Sequence, residues 1–213
     1  MFQKLLIANR GEIAIRIARA AADLGLPCVT VFAPDDAGAR HTRMADTAVA
    51  LQPQAGTRAS AYLDMAQLIA AEHQTGCDAV HPGYGFLSER ADFAQACADA
   101  GLHFVGPTPE QLALFGDKAR ARAFAEAQGV PLMPGLSHAT TAAEAEAFYA
   151  AEQQALGTET PSIVIKALGG GGGRGMRVVQ CAADVATAHA RCSSEALAAF
   201  GVGAVYVERF MPQ

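Results

Sequence analysis

The sequence of 213 residues lacks the marks of several broad protein classes. It has no surplus of positive charge: 16 Lys and Arg stand against 21 Asp and Glu, a net charge of −5, and no local basic cluster compensates. A nucleic-acid binder needs such a footprint to meet the phosphate backbone, so no nucleic-acid partner is expected. Long apolar runs are missing too. The first, Leu5 to Ala8, stops after four residues at Asn9 and Arg10, too short for a secretory leader or a membrane span. The five cysteines, Cys28, Cys77, Cys97, Cys181 and Cys192, form no CxxC pair and no metal-ligand spacing. They read as small buried apolar residues in a reducing compartment, without disulfides. None of His41, His73, His81, His103, His138 and His189 has the company that a metal site or a catalytic triad requires. The expectation is a cytoplasmic protein with no membrane contact.

With 51% hydrophobic and 17% charged residues, the chain can bury a sizeable core, in one large domain or two small ones. In its first half, short β-rich runs alternate with helical patterns. KLLIA is followed by a helix through Ile13, Ile17 and Leu24, CVTVFA by a helix around Tyr62 to Glu72, and DAVHP by a helix from Ser88 to Asp99 before HFVG. That alternation predicts a parallel sheet covered by helices. After Gly106 the pattern gives two helices and no strand. From Pro161 it changes again: SIVIKA, a glycine run, MRVVQ, a helix from Ala182 to Phe200, and AVYVERF. Two strands joined by a glycine-rich loop predict an antiparallel unit. The Ala-rich segment from Thr141 to Ala155 reads as a solvated helix.

The run of five glycines in VIKALGGGGGRGMRVV is the strongest local signal. It contains GxGxxG at Gly170, Gly172 and Gly175. A dinucleotide fingerprint, however, needs a helix to begin at the glycines, and here the β-branched MRVVQ follows. A Walker A loop is excluded because no Lys-Ser or Lys-Thr follows the last glycine. A hairpin tip of bare backbone amides can still approach phosphate oxygens closely, with Lys166 on the entering strand as a point charge. A protein-kinase lid places its lysine on a later strand than its glycines; here the lysine comes first.

This order, a lysine strand, then glycines, then a returning strand with Met176, resembles the lid of ATP-grasp enzymes, and within them the biotin carboxylase family. IANRGEIAIRI at Ile7 to Ile17, HPGYGFLSER at His81 to Arg90, GDK at Gly116 to Lys118 and VYVERF at Val205 to Phe210 match that family's pattern in order, so the resemblance covers the whole chain. It implies an α/β fold: a Rossmann-like pre-ATP-grasp domain over residues 1–115, a helical linker over 116–135, and over 136–213 the α+β lid subdomain that begins an ATP-grasp domain.

The resemblance also implies roles. Lys118, Lys166 and the glycines Gly169, Gly170, Gly171, Gly172 and Gly173 would hold ATP phosphates. Lys118 is otherwise an odd opening for a helix, since cations are disfavoured at helix amino termini. Met176 would stack on the adenine, and Glu208, Arg209, Phe210 and Met211 would form the adenine hinge, with Glu208 accepting from the amino group. Tyr84 and Gly85 would lie beside biotin and bicarbonate, while Asn9, Arg10 and Gly11 shape a turn. The implied chemistry is ATP-dependent carboxylation of carrier-bound biotin through carboxyphosphate, with Mg2+ on the phosphates. The implied partners are a biotin carboxyl carrier domain, a carboxyltransferase and a second copy of the carboxylase, reached through the helix of Arg19 and Asp23.

The magnesium ligands, general base and catalytic arginine would lie after Met211. No catalytic residue or metal ligand is therefore expected within the chain, which alone would be inactive. A short non-catalytic nucleotide- or subunit-binding module remains the other reading. One departure from the family stands out: the segment Glu152 to Ala167 is longer and more polar before its lysine strand.

Overall fold

The computed structural model describes residues 2–52, 60–157, 160–169 and 175–211. The chain divides into two compact units, Met1–Ala113 and Leu114–Gln213.

The first unit is a five-stranded sheet of β1 (Leu5–Ile7), β2 (Cys28–Phe32), β3 (Thr47–Ala50), β4 (Ala79–His81) and β5 (His103–Phe104) in the order β3-β2-β1-β4-β5, with every pair parallel. Period-two alternation sends Leu5 and Ile7 to one face, where they meet Ala14, Ile17, Ala18 and Ala21 of α1 (Gly11–Asp23). Leu6 and Ala8 point to the other face, among Leu68 and Ala71 of α2 (Met65–Thr75) and Phe93 and Cys97 of α3 (Ala91–Asp99). The sheet thus has helices on both faces, as the alternating pattern requires. Three local expectations are corrected. The strand Thr47–Ala50 has no counterpart in the predicted runs. The stretch around Tyr62 is a 3-10 turn, Ser60–Leu63, that stops before Asp64 caps α2. Helix α3 starts at Ala91 rather than Ser88, because the loop after β4 continues through a turn to Arg90.

Helix α4 (Pro109–Phe115) runs across the boundary between the units. In the second unit α5 (Lys118–Ala127) is capped by Asp117, whose carboxylate accepts from the amides of Ala119 and Arg120. Three strands follow in the order β7-β6-β8, namely β6 (Ile163–Ala167), β7 (Met176–Val179) and β8 (Val205–Arg209), with both neighbours antiparallel to β6. Helices α6 (Ala142–Leu156) and α7 (Val185–Phe200) cover one face, where Ala145, Tyr149, Cys192 and Ala196 pack on Ile163, Ile165, Val179, Val205 and Val207. Helix α6 is therefore not the solvated helix expected: one stripe of it is core. It starts in a capping box of Thr141 and Glu144 and ends at Gly157 with φ 63°.

The outer edge of β8 is not bare. Leu136 N donates to Val207 O at 3.0 Å, Thr140 N to Val205 O at 2.8 Å and Arg209 N to Pro134 O at 2.7 Å. Gly135 permits this approach, since a Cβ there would stand 2.7 Å from Glu208 Cβ. Four cysteines are buried as expected; Cys181 is exposed just beyond β7.

Candidate functional site

Antiparallel register decides which side chains share a face of the small sheet. Lys166 is paired with Met176 and with Tyr206, and Val164 with Val178 and with Glu208. Alternation puts these six on the face opposite α6 and α7. Lys166 Nζ donates to Glu208 Oε1. The other carboxylate oxygen, Oε2, lies 3.6 Å from NH1 of Arg122. Tyr206 completes the group: burial and the hydrogen-bonded Glu208 carboxylate push its phenol up to about 12, so it stays protonated and donating.

Arg122 comes from α5 and is held in place, since its NH2 donates to the carbonyls of Met133 and, at 3.4 Å, Gly135. One helical turn earlier, Lys118 Nζ donates to Leu168 O at 3.3 Å, just past the end of β6. Lys118 and Arg122, four apart, stand on the same side of α5. Two cations thus pair with one carboxylate and a third, Lys118, reaches the main chain just past the end of β6, in a chain whose only lysines are Lys4, Lys118 and Lys166. A net positive, partly desolvated cluster of this kind is suited to phosphate oxygens.

The expected nucleotide residues do not all meet here. Lys166 and Glu208 do, Met176 stands on the same face, 45% exposed, and Lys118 reaches the main chain at Leu168, two residues beyond Lys166. Arg209, one residue beyond Glu208, turns to the opposite face and pairs with Glu152 of α6. Its guanidinium holds the sheet to the helix. Phe210 N donates to Ser162 O at 2.8 Å, and Met211 is exposed. Nothing lies within 4 Å of the position a Cβ would take on Gly169, and Gly170, Gly171, Gly172 and Gly173 lie outside the described residues. Arg122 was not among the expected residues. Its signal was present in GDKARAR, as a cation one turn after Lys118.

In the first unit, strand order reverses between β1 and β4, which makes a crevice at their carboxyl ends, the usual ligand position in open parallel sheets. The loop after β4 carries Tyr84 and Gly85 there. Asn9, buried after β1, donates through Nδ2 to Pro82 O at 2.6 Å and to Tyr84 O at 3.0 Å, and its Oδ1 accepts from Arg10 N. Gly83 has φ 68°, and a Cβ on it would meet Asn9 Nδ2 at 2.7 Å. Tyr84 is 65% exposed and its hydroxyl donates to Glu12 at 3.3 Å. Arg10 donates to both oxygens of Asp36, which also accepts from Tyr62. Burial disfavours the Asp36 carboxylate, but those hydrogen bonds outweigh it and hold its pKa below the ordinary value. Tyr62 in turn stacks on Phe86 of the loop, with ring centroids 5.4 Å apart. His81 is depressed by burial and accepts from Gly83 N at 3.0 Å. Among the described residues no group of three His, Cys, Asp or Glu could hold a metal ion, and no helix is long and apolar enough to cross a membrane.

Residues 1–112 match the family described as biotin carboxylase, N-terminal domain, and residues 117–213 match carbamoyl-phosphate synthase L chain, ATP binding domain. The mitochondrial pyruvate carboxylase of Rattus norvegicus is 48% identical over 210 residues, which is 98% of this chain and 17% of that protein. A biotin carboxylase from Campylobacter jejuni, solved as a βγ-ATP complex, superposes with a TM-score of 0.90 at 35% identity, over 100% of this chain and 46% of that one. The biotin carboxylase domain of Hydrogenobacter thermophilus 2-oxoglutarate carboxylase, a dimer solved with MgADP, ADP and bicarbonate, gives 0.85 at 35% identity, over 99% and 45%. The chain thus spans under half the length of each of these relatives.

Proposed function

This chain belongs to the biotin carboxylase family, and we propose that it supplies the nucleotide-holding face and the biotin-side loop of an ATP-dependent ligase that carboxylates carrier-bound biotin with bicarbonate. The observation that carries the reading is the pairing of Lys166 with Glu208 on one face of the small sheet, with Lys118 reaching the main chain at Leu168, just past the end of β6. The relatives solved with a βγ-ATP group and with MgADP and bicarbonate support it.

In this reading residues 136–213 form the ATP-grasp lid subdomain, 116–135 a helical linker and 1–115 the preceding domain. Lys118, Lys166 and the glycines from Gly169 to Gly173 hold the phosphates. Met176 covers the adenine, while Glu208 and the main chain from Arg209 to Met211 bound it. ATP activates bicarbonate as carboxyphosphate, and the biotin ureido nitrogen takes the carboxyl group beside Tyr84 and Gly85. The residues in hand do not fit a magnesium site, since Glu208 is already engaged by two cations and, among the described residues, no group of three His, Cys, Asp or Glu could hold a metal ion. Magnesium ligands and catalytic groups are therefore assigned to a longer protein, and the 213-residue chain alone binds nucleotide without turnover. Its partners are a biotin carboxyl carrier domain, a carboxyltransferase and a second carboxylase copy on the α1 helix of Arg19 and Asp23. The location is cytoplasmic, in keeping with the acidic charge and the reduced cysteines. Titrating the chain with ATP tests the reading by amide hydrogen exchange. Protection is expected at residues 163–168 and 205–209, and unchanged exchange in both strands overturns it.

A further inference from the structure

Glu208 is 15% exposed at its side chain and paired with two cations of different character. Lys166 carries a single flexible ammonium, with its side chain 29% exposed. Arg122 is 11% exposed and fixed by two main-chain carbonyls, so it cannot follow a ligand. If the phosphates of a nucleotide draw Lys166 toward them, Glu208 loses its closer cation. A partly buried carboxylate left without one is strongly disfavoured. We propose that Arg122 is a positioning residue that compensates Glu208 when Lys166 moves to the phosphates, so that one lysine serves the carboxylate in the empty site and the phosphates in the filled one.

This rests on the nucleotide reading above and makes a claim that reading does not contain. Arg122 would matter for phosphate-bearing nucleotides without touching phosphate. Adenosine leaves Lys166 on Glu208 and has no need of Arg122. Neutralising Glu208 removes the need altogether.

Affinities for ATP and for adenosine, read by titration NMR on the full 213-residue chain, decide the matter. Arg122→Met is expected to weaken ATP by about 30-fold and adenosine by less than about 3-fold, the scale of an uncompensated buried charge. Arg122→Lys keeps the charge and is expected to stay within about 3-fold of the parent for both. The double variant Arg122→Met with Glu208→Gln should bind ATP as Glu208→Gln does alone. If the double variant stays as weak as Arg122→Met, Arg122 contacts phosphate itself and the proposal is overturned. It is equally overturned if adenosine and ATP weaken together, or if Arg122→Lys loses as much as Arg122→Met. A parent chain that binds neither ligand removes the nucleotide reading instead, an outcome distinct from all of these.

Discussion

The sheet of the first unit has helices on both faces, and the sheet of the second has its helices on one, and two carboxyl groups, Glu72 and Glu208, meet different company in the two units. In the first unit Glu72 of α2 is fully buried, and among the described residues neither of its oxygens has a hydrogen-bond partner. Burial, with Asp78 nearby, pushes its carboxyl up to about 8 from an ordinary 4.5, so it is held as the neutral acid at neutral pH. In the second unit Glu208 stands on the face away from α6 and α7, paired with Lys166 and Arg122 and hydrogen-bonded by the Tyr206 phenol. Enclosed without a cation, as Glu72 is, a carboxyl is neutralised, whereas Asp36 of the same unit keeps its charge through Arg10 and Tyr62. A face left to polar residues can surround one with charge and hold it ready for exchange. Of the expected nucleotide residues, Lys166, Met176 and Glu208 stand on the second kind of face.

The largest expected effect breaks this comparison on the polar face. Lys166→Met removes the mobile cation while Arg122 keeps Glu208 compensated, so the unit should fold as before. In a protein long enough to turn over, kcat/KM for bicarbonate-dependent ATP cleavage should fall by roughly 30- to 1,000-fold, about 2–4 kcal/mol of transition-state stabilisation. Unchanged kinetics with normal melting would take Lys166 out of the site.

Glu72→Gln tests the covered sheet in the opposite sense. A carboxyl whose pKa is higher folded than unfolded binds its proton more tightly in the folded state. Its contribution to stability is therefore complete below about pH 4.5 and is lost as pH rises toward about 8. Glutamine has the same shape and cannot ionise. Between pH 5 and pH 8 the parent should lose stability relative to Glu72→Gln, with a difference on the order of 3 kcal/mol at pH 7 that vanishes in acid. Chemical denaturation of both proteins across that range measures it, and parallel curves would mean that Glu72 is ionised in the folded unit.

Much of this was legible in the sequence, and the gaps have physical reasons. The parallel alternation of the first half and the antiparallel lysine strand were read from hydrophobic periodicity, because both sheets bury apolar faces. The strand Thr47–Ala50 escaped because it is short and half exposed, so burial imposed no pattern on it. Glu72 sits in AAEHQTG, which reads as the polar side of a helix, yet in the folded unit it is fully buried. Period-two alternation by itself separates Glu208 from Arg209, and applying it to the adenine hinge would have sent Arg209 toward the helices. Arg122 was hidden for a different reason. Its partners are the carbonyls of Met133 and Gly135 and the carboxylate of Glu208, all reached through the return of the chain along β8.

The smallest effect sharpens the comparison within the second unit, because it asks whether the two faces of one sheet are independent. Thr141 caps α6: its hydroxyl accepts from Glu144 N at 3.2 Å, and its own amide donates to the Glu144 carboxylate at 2.7 Å. Thr141→Ala removes the hydroxyl half of that box and should destabilise the unit by about 1 kcal/mol. Tyr149 and Glu152, farther along the same helix, hold it to the sheet through Gln180 O and Arg209, so the helix should loosen at its first turn only. Lys166, Glu208 and Arg122 lie across the sheet from that turn, tied to each other and to main-chain carbonyls rather than to α6. Melting should shift down by a few degrees while ATP affinity of the chain holds within about twofold. A parallel loss of affinity would mean that the polar face takes its geometry from the helix face, and the division between a structural side and a binding side of the small sheet would fall.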